Sequence, residues 1–311
     1  MILSLSDLHC DTLYEIFAKQ KSPNDPSLAV SLDPSAKHPY QKHTQVTAIW
    51  SDSSLSDEDS FLQCVSILER LQDYRFFDCF YRGGNAKSFL EQSKAFLLGI
   101  EDARLLSGNI SRLALLYQKG IRILTLLWKG VSCIGGAYDT EYGLTAFGKE
   151  VVTTCTKLGI VCDVSHASHK SAYDTIETAN GFPVIASHSD SFSVYPHPRN
   201  ITDSLFSDIK QTGGLVGINL YNVHLGMHTL RGTATDIILR HIDHFLTIGG
   251  EDVICFGCDF DGAKTPLEYQ HPEDLYSLFQ TMLRRGYSED IVEKIFWKNA
   301  DHFIMKHIIK N

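Results

Sequence analysis

The stretch Ala146-Phe-Gly-Lys-Glu-Val-Val-Thr-Thr-Cys-Thr-Lys-Leu-Gly-Ile-Val-Cys-Asp-Val-Ser-His166 contains the structural unit that decides the fold. Its first part, Ala146 to Leu158, has the apolar spacing of a helix, and Gly159 to Val164 is a strand-like apolar run. Gly159 itself lies where a left-handed helix stop is needed. The stretch therefore predicts a helix, a buried strand and then a polar side chain, His166, at the end of the strand.

The same unit recurs along the 311 residues. Seven further strand-like runs are Ile2 to Leu8, Gln45 to Trp50, Ala95 to Ile100, Ile121 to Leu127, Pro183 to Ser187, Leu215 to Leu220 and Asp252 to Gly257. Helical spacing marks Leu105 to Lys119, Ser168 to Ala179, Ser204 to Thr212, Thr235 to Ile248, His271 to Arg285 and Ser288 to about Lys310. Thr202 and Ser288 are expected helix caps, and Lys21 to His43 is expected to be an ordered excursion before the second strand.

Eight strands alternating with helices predict an α/β fold with a parallel sheet, and two layouts fit that pattern. One is an open, doubly wound sheet, and the other is a closed (β/α)8 TIM barrel. Polar residues follow strands 1, 3, 5, 6 and 8, and closure would bring so many strand ends around one cavity. We therefore expect a closed (β/α)8 TIM barrel. No Pro/Gly/Ser-rich linker divides the chain, so residues 1–311 are expected to form one barrel domain with C-terminal helices.

The charge and hydropathy of the sequence restrict the kinds of molecule that the protein is expected to bind. The formal net charge is −9 and the pI is about 5.8, which argue against nucleic acid and anionic membranes because those partners need a positive protein surface. No apolar run approaches the roughly 18 residues of a spanning helix, and the N-terminus has no cationic leader. A small ligand and a cytoplasmic location are the resulting expectations. The eight scattered cysteines, including the pair Cys255 and Cys258, are expected to be free thiols.

Five side chains of metal-binding type follow strand-like runs. They are His9, Asp11, Glu101, His166 and His188. His9 and Asp11 are spaced to lie on one face of an extended segment, and histidine with carboxylate suits zinc-like ions. Each residue also has an ordinary structural alternative: Asp11 as a helix cap, Glu101 as a first-turn glutamate, and each histidine as a buried polar group.

Taken in order, the motifs resemble those of the renal (membrane) dipeptidase family of zinc peptidases in its soluble bacterial form. The resemblance covers nearly the whole chain. It depends on His9-x-Asp11, Gly99-Ile-Glu101, Gly143-Leu-Thr-x-Phe-Gly148, Asp163-Val-Ser-His166, Ser187-His-Ser189, Arg199-Asn200 and Asp259-Phe-Asp-Gly262.

The resemblance implies a (β/α)8 TIM barrel of the amidohydrolase-like, metal-dependent hydrolase type, with the following roles. His9 and Asp11 would hold one of two zinc ions and His166 and His188 the other, with Glu101 as the bridging, catalytic carboxylate. Arg199 would bind the C-terminal carboxylate of a dipeptide, and Asp259 would meet its amino end and carry a proton. A hydroxide bridging the metals would attack the peptide bond, and homodimers are usual for such proteins. Arg199 and Asp259 also have structural alternatives, as a surface loop arginine and a structural aspartate.

Three positions depart from the family pattern. Trp128 replaces a histidine near the substrate carbonyl, Asp102-Ala103 replaces small glycines after Glu101, and Cys258 replaces a glycine before Asp259. Trp128 is therefore expected to touch the substrate and to alter specificity. Two alternatives remain open: another binuclear enzyme, such as a cyclic amide hydrolase or deaminase, and a catalytically silent barrel that binds peptides.

Overall fold

The computed structural model describes residues 3–23, 25–74 and 77–309, and its core is one sheet of eight parallel strands. The strands, β1 to β8, are Leu5–Asp7, His43–Ile49, Lys94–Glu101, Ile121–Thr125, Val161–Asp163, Val184–Ile185, Val216–Ile218 and Ile254–Phe256. Their order in the sheet is β6-β5-β4-β3-β2-β1-β8-β7. A parallel bridge between Ala186 and Val216 joins the two ends of that order. The sheet therefore closes on itself, and the predicted TIM barrel is confirmed.

Helices cover the outside of the barrel. Helices α1 to α11 are Asp57–Gln72, Ala86–Glu91, Ser111–Gln118, Ala146–Leu158, His169–Ala179, Asp203–Gln211, Asn222–Leu225, Ala234–Thr247, Leu275–Arg284, Glu289–Glu293 and Asn299–His307. The helix Ala146–Leu158 has the predicted bounds and ends at Gly159, whose φ is 82°. The predicted caps are also confirmed, because Thr202 accepts from Leu205 N and Ser288 accepts from Ile291 N.

Some predicted bounds differ from the structure. The expected helix from Leu105 to Lys119 is wrong, because a 3-10 turn at Ala103–Leu106 is separated from α3 by Ser107 and Gly108, whose φ values are 48° and 73°. Left-handed backbone cannot continue a right-handed helix, so the chain restarts at Ser111. The predicted start of the first strand at Ile2 and the predicted helix end at Lys310 lie outside the described residues.

A buried apolar layer of the barrel lies on the amino-terminal side of the polar residues that follow the strands. Its members are all buried and come from many strands: Leu8, Val46, Ala95, Leu97, Ile123, Val161, Ile185, Leu215 and Cys255. Phe303 and Ile304 of α11 pack against them. The candidate metal ligands follow this layer, at or beyond the carboxyl ends of the strands.

The described part of the segment before β2, residues 21–23 and 25–42, is ordered, as expected. It is tied to the loop after β8, because Asp261 accepts hydrogen bonds from Ala29 N at 2.6 Å and Val30 N at 3.2 Å. All eight cysteines are free, and Cys255 and Cys258 are both buried. Among the described residues, no helix has the length and apolar character needed to cross a membrane.

Candidate metal centre

His9 and Asp11 lie just beyond β1, where the chain is still extended. His9 Nε2 is 3.5 Å from Asp11 Oδ2, so the two side chains share one face. Asp11 precedes a helical turn, but its Oδ1 is buried and has no hydrogen-bond partner. A helix cap would accept a backbone N–H through that group. The geometry therefore favours the ligand interpretation of Asp11 over the cap.

Glu101, the last residue of β3, lies between the histidines of three other strands. Its Oε1 is 2.8 Å from His166 Nε2 and 3.5 Å from His188 Nε2, and its Oε2 is 3.6 Å from His9 Nε2. The following turn is capped by Asp102, whose side chain accepts from Arg104 N. Glu101 is thus not a first-turn glutamate, and it presents one oxygen to each side of the cluster.

The rings of His166 and His188 are held with Nε2 facing the cluster. His166 Nδ1 is 3.0 Å from the carbonyl oxygen of Trp128, which can only accept. His188 Nδ1 is 2.7 Å from Ser187 Oγ, whose own hydrogen is donated to a carboxylate oxygen of Asp163 at 2.6 Å. Each neutral ring therefore carries its hydrogen on Nδ1 and a lone pair on Nε2. The two Nε2 atoms are only 3.0 Å apart.

Asp163 holds the ring of His188 in place through the hydroxyl of Ser187. Its Oδ2 accepts from Thr125 Oγ1 at 2.6 Å as well as from Ser187. Its Oδ1 accepts from the backbone N–H groups of Ser165 and Ser187, both at 2.9 Å. A hydroxyl and a carboxylate behind a histidine fix its tautomer and orientation, as the outer partners of metal-bound histidines do.

Two residues of the site have strained backbone. His166 has a φ of 68° and Asp259 a φ of 62°, both in the left-handed region that disfavours side chains other than glycine. Such conformations persist only when the surrounding structure enforces them, and they cluster at functional sites. Both residues lie just beyond the carboxyl ends of their strands and line the same cavity.

Charges in the cluster shift several pKa values. Burial and the nearby charge of Arg199 lower the pKa of His166 to about 4. Burial also lowers the pKa of His188 well below its usual range. Burial would raise the pKa of Glu101, but the charge of His9 holds it well below its usual range. The lowered pKa values favour neutral imidazoles at His166 and His188 and an ionised carboxylate at Glu101, which are the protonation states that a metal ion requires.

Asp259 follows β8 and comes within reach of the first ligand pair. Its carboxylate, His9 and Asp11 offer oxygen and nitrogen atoms that all lie within 4.8 Å of one another. Asn219 at the end of β7 donates to Asp259 Oδ2 at 3.2 Å. Burial, with the like charges of Asp11 and Glu101, raises the pKa of Asp259 to about 7. A carboxyl group that titrates near neutral pH can both accept and donate a proton.

Arg199 is buried rather than on the surface, with 4% of the residue exposed. Its Nε and Nη2 atoms have no hydrogen-bond partner, and its guanidinium carbon lies 5.7 Å from the centre of the Tyr138 ring. A buried guanidinium with free donors is matched to a carboxylate, because its planar fork can bind both carboxylate oxygens. The alternative of a surface loop arginine is wrong.

A cavity of about 750 Å³ opens over these groups. Asp11, Glu101, His166, Arg199 and Asp259 all line it. Its wall also includes Trp128, whose ring centre is 5.1 Å from that of Trp50. This volume is typical of sites for small ligands.

The donor set fits divalent metal ions. His166 Nε2, His188 Nε2 and Glu101 Oε1 are three electron-pair donors within 3.5 Å of one another, and both imidazole hydrogens are already used elsewhere. Lone pairs at such distances repel each other unless a cation lies among them. His9, Glu101 and His188 form one group that could hold an ion, and His9, Asp11 and Asp259 form another.

Comparison with known proteins identifies the family. The model of the membrane dipeptidase family, peptidase family M19, matches residues 5–307. This chain belongs to the membrane dipeptidase family. The family consists of metallo-dipeptidases, so the chain is a metal-dependent hydrolase of that type. Among curated relatives, an uncharacterized protein from the pqqA 5' region of Klebsiella pneumoniae is 34% identical over 66% of this chain and 79% of its own length. An uncharacterized dipeptidase of Schizosaccharomyces pombe is 28% identical over 77% of this chain and 60% of its own length.

Solved structures share the fold of this family member. A metallo peptidase from Rhodobacter sphaeroides, determined with a phosphinate mimic of the dipeptide L-Ala-D-Ala, has a TM-score of 0.88 and 22% identity, covering 99% of this chain and 100% of its own. A dipeptidase of family M19 also has a TM-score of 0.88, with 23% identity and 99% of each chain covered. Both similarities are similarities of fold.

The structure of this family member brings together the residues singled out in the sequence. The five expected ligands converge, and Arg199, Asp259 and Trp128 line the same cavity. Sequence reasoning missed two contributions. It took no polar group from strand 7, although Asn219 directly follows β7, and it did not recognise that Asp163 and Ser187 support His188. The signal for both was a polar residue at or just after the end of a buried strand.

Proposed function

We propose that this protein is a zinc-dependent dipeptidase with a binuclear centre. The observation that carries the proposal is the convergence of His166 Nε2, His188 Nε2 and Glu101 Oε1 with no hydrogen among them. His9 and Asp11 would hold the second ion, and Glu101 would bridge the pair through its other oxygen. Geometry alone does not select the metal, and zinc is proposed because nitrogen and carboxylate ligands suit it.

The chain's own groups would bind both ends of a dipeptide. Arg199 has two unpartnered donor atoms for the C-terminal carboxylate. Asp259 would receive the amino group, and its backbone is fixed because its N–H donates to the carbonyl of His9 at 3.2 Å. Holding both ends explains why a dipeptide, rather than a longer chain, would be the substrate. The buried position of Arg199 leaves little room for chain beyond the carboxylate.

Bound zinc would supply Lewis acidity for the scissile carbonyl and lower the pKa of water toward about 7, making a nucleophile available near neutral pH. Asp259 would hold the proton released from that water and give it to the leaving amine. The indole of Trp128 would close one wall over the reacting carbonyl and would help to exclude bulk water. Asn219 would keep the carboxylate of Asp259 aimed at the centre.

Dipeptide hydrolysis in metal-stripped, zinc-restored and Asp259→Asn protein tests the proposal. We expect no turnover without metal, recovery with zinc, and a loss of about 10²- to 10⁴-fold in kcat for Asp259→Asn with zinc content unchanged. Full activity of Asp259→Asn would contradict the proton-transfer role, and turnover by the stripped protein would contradict the metal dependence. The homodimer and the cytoplasmic location stay predictions.

A further inference from the structure

The active-site cavity continues into a neighbouring cavity of about 660 Å³. The two share Glu15, Asp261, Gly262, Ala263 and Lys264. The second cavity extends between the loop after β8 and the segment around Ala29. The metal site is therefore one end of a longer cleft, and the loop that carries Asp259 forms the junction.

This loop lies directly against the ligand cluster. A Cβ atom on Gly262 would be 1.9 Å from Asp11 Oδ2 and 2.7 Å from Asp259 Oδ1, so only glycine fits. The loop turns tightly, because Ala263 N donates to Asp259 O at 3.0 Å. Lys264 comes next, and its carbonyl accepts from Asn222 N at 3.0 Å. The backbone of Lys264 is thus fixed at the junction, and the exposed residue lines both cavities.

At this junction the two acidic side chains have partners, but one lysine has no carboxylate partner among the described residues. Glu15 is paired with Lys19 at 2.5 Å and with Lys21 at 2.6 Å. Asp261 accepts from Thr12 Oγ1 at 2.5 Å in addition to its two backbone donors. Within residues 3–23, 25–74 and 77–309, Lys264 forms no ion pair with a carboxylate. The junction therefore presents one cation whose charge is available to a ligand.

We infer that Lys264 forms a subsite for an acidic side chain on the N-terminal residue of the substrate, so that aspartyl and glutamyl dipeptides are preferred. This inference rests on the proposed function and deepens it. Arg199 would already be engaged by the C-terminal carboxylate, so the second negative charge needs its own cation. Lys264 is the cation on the Asp259 side of the cleft. Lys129 follows β4, across the barrel from β8, and lines the opposite wall.

Pairs of dipeptides with side chains of similar size separate the effect of side-chain charge from that of side-chain size. The zinc-loaded protein is assayed with Glu-Ala, Gln-Ala, Lys-Ala, Ala-Glu, Ala-Gln and Ala-Ala, and kcat/KM is compared for the parent, Lys264→Met, Lys264→Glu and Lys129→Met. We expect the parent to prefer Glu-Ala over Gln-Ala by about 3- to 5-fold, the range of a partly exposed ion pair. Lys264→Met should abolish that preference, and Lys264→Glu should shift it toward Lys-Ala. Lys129→Met should keep the ratio of the parent.

The outcomes separate this inference from the proposed function. Cleavage of Ala-Ala with the same Glu-Ala to Gln-Ala ratio in the parent and Lys264→Met overturns the subsite alone. A charge preference that appears for Ala-Glu over Ala-Gln instead also overturns it, because the acid would then lie on the C-terminal side. Failure of the zinc-loaded parent to cleave any dipeptide, Ala-Ala included, overturns the proposed function and this inference with it. Weakening of the Glu-Ala preference by added salt further supports an ionic contact.

Discussion

The two ends of the barrel interior are built from the same eight strands but have opposite character. On the amino-terminal side of the ligand residues, side chains such as Leu97 and Ile123 are apolar and buried, and α11 packs against this layer. At the carboxyl ends, carboxylates and imidazoles face one another, Asp11 Oδ1 has no partner, and His166 and Asp259 have positive φ. A (β/α)8 barrel thus separates stability from chemistry along the strand axis.

That separation has an energetic reason. An unpaired buried polar group costs about 1–3 kcal/mol, and strained backbone costs a similar amount. Burial of one leucine or isoleucine side chain contributes about 1.5–3 kcal/mol. The apolar layer can therefore offset several unsatisfied groups at the site. Substitutions at the two ends should consequently affect different properties, activity at one and stability at the other.

The largest effect is expected for Glu101→Gln, which keeps the shape of the side chain but removes its charge. Without an anionic bridge the cluster should lose metal, and the rate of dipeptide hydrolysis should fall by more than about 1000-fold. Metal content and kcat/KM measure this directly. The matched control is Glu150→Gln on the exposed face of α4, which should behave as the parent. Normal metal content in Glu101→Gln would contradict the bridging role.

Leu97→Ala tests the other end of the barrel. Leu97 is fully buried in the apolar layer, so its truncation should lower the free energy of unfolding by about 2–5 kcal/mol. The activity per folded molecule should stay within a few-fold of the parent. Denaturant unfolding and kcat/KM give the two values, with the half-exposed Leu115→Ala as control. A loss of activity as large as that of Glu101→Gln, in protein that is still folded, would break the separation between the two ends.

Ser187→Ala tests whether a residue that only supports a metal ligand also affects metal binding. It removes the hydroxyl that connects Asp163 with His188 Nδ1 and so frees the ring to adopt the wrong tautomer or orientation. We expect metal affinity to fall about 10- to 100-fold, as for other outer partners of metal ligands. Competition with a chromophoric chelator measures the affinity. Ser187→Thr retains the hydroxyl and should keep the metal affinity of the parent. Equal affinities for Ser187→Ala and the parent would contradict the role of this hydroxyl in holding His188.

The smallest effect concerns acid stability and His241 of α8. Its Nδ1 accepts from Ser191 N at 3.1 Å, in the loop that carries His188, and burial lowers its pKa to about 4. In the unfolded chain, His241 binds a proton at a higher pH than it does in the folded protein. The contribution of the buried, neutral ring to the free energy of unfolding is therefore complete above pH 6.5 and is lost as the pH falls toward 4. Between pH 7 and 5.5, about 1 kcal/mol of unfolding free energy should disappear. His241→Asn should lack that portion, and a curve parallel to that of the parent would contradict the assignment.

The sequence predicted the barrel and the ligands well because both depend on local patterns. Continuous apolar runs mark strands buried on both faces, and polar residues after them mark one end of the sheet. The helix Ala146–Leu158 was predicted to the residue because apolar spacing marks its length and Gly159 ends it. The break at Ser107 was missed, because a serine in left-handed conformation has no sequence signal comparable to that of glycine.

The parts that the sequence did not reveal depend on distant contacts. Asn219 and Asp259 are 40 residues apart, and only barrel closure brings their side chains to 3.2 Å. The free donors of Arg199 could not be predicted either, because a loop arginine is normally solvated and its burial results from packing of the whole loop. Short-range patterns report which residues end strands, and tertiary packing decides which of them are left without partners.

The crowded lone pairs of His166, His188 and Glu101 exist only when the chain is folded, since they come from three separate strand ends. Any ion that binds there therefore favours the folded state by mass action. A free concentration 100 times the dissociation constant adds about 2.7 kcal/mol to the free energy of unfolding. The metal supply of the cell would consequently set how long each molecule survives as well as how fast it turns over, and depletion would expose the protein to proteolysis.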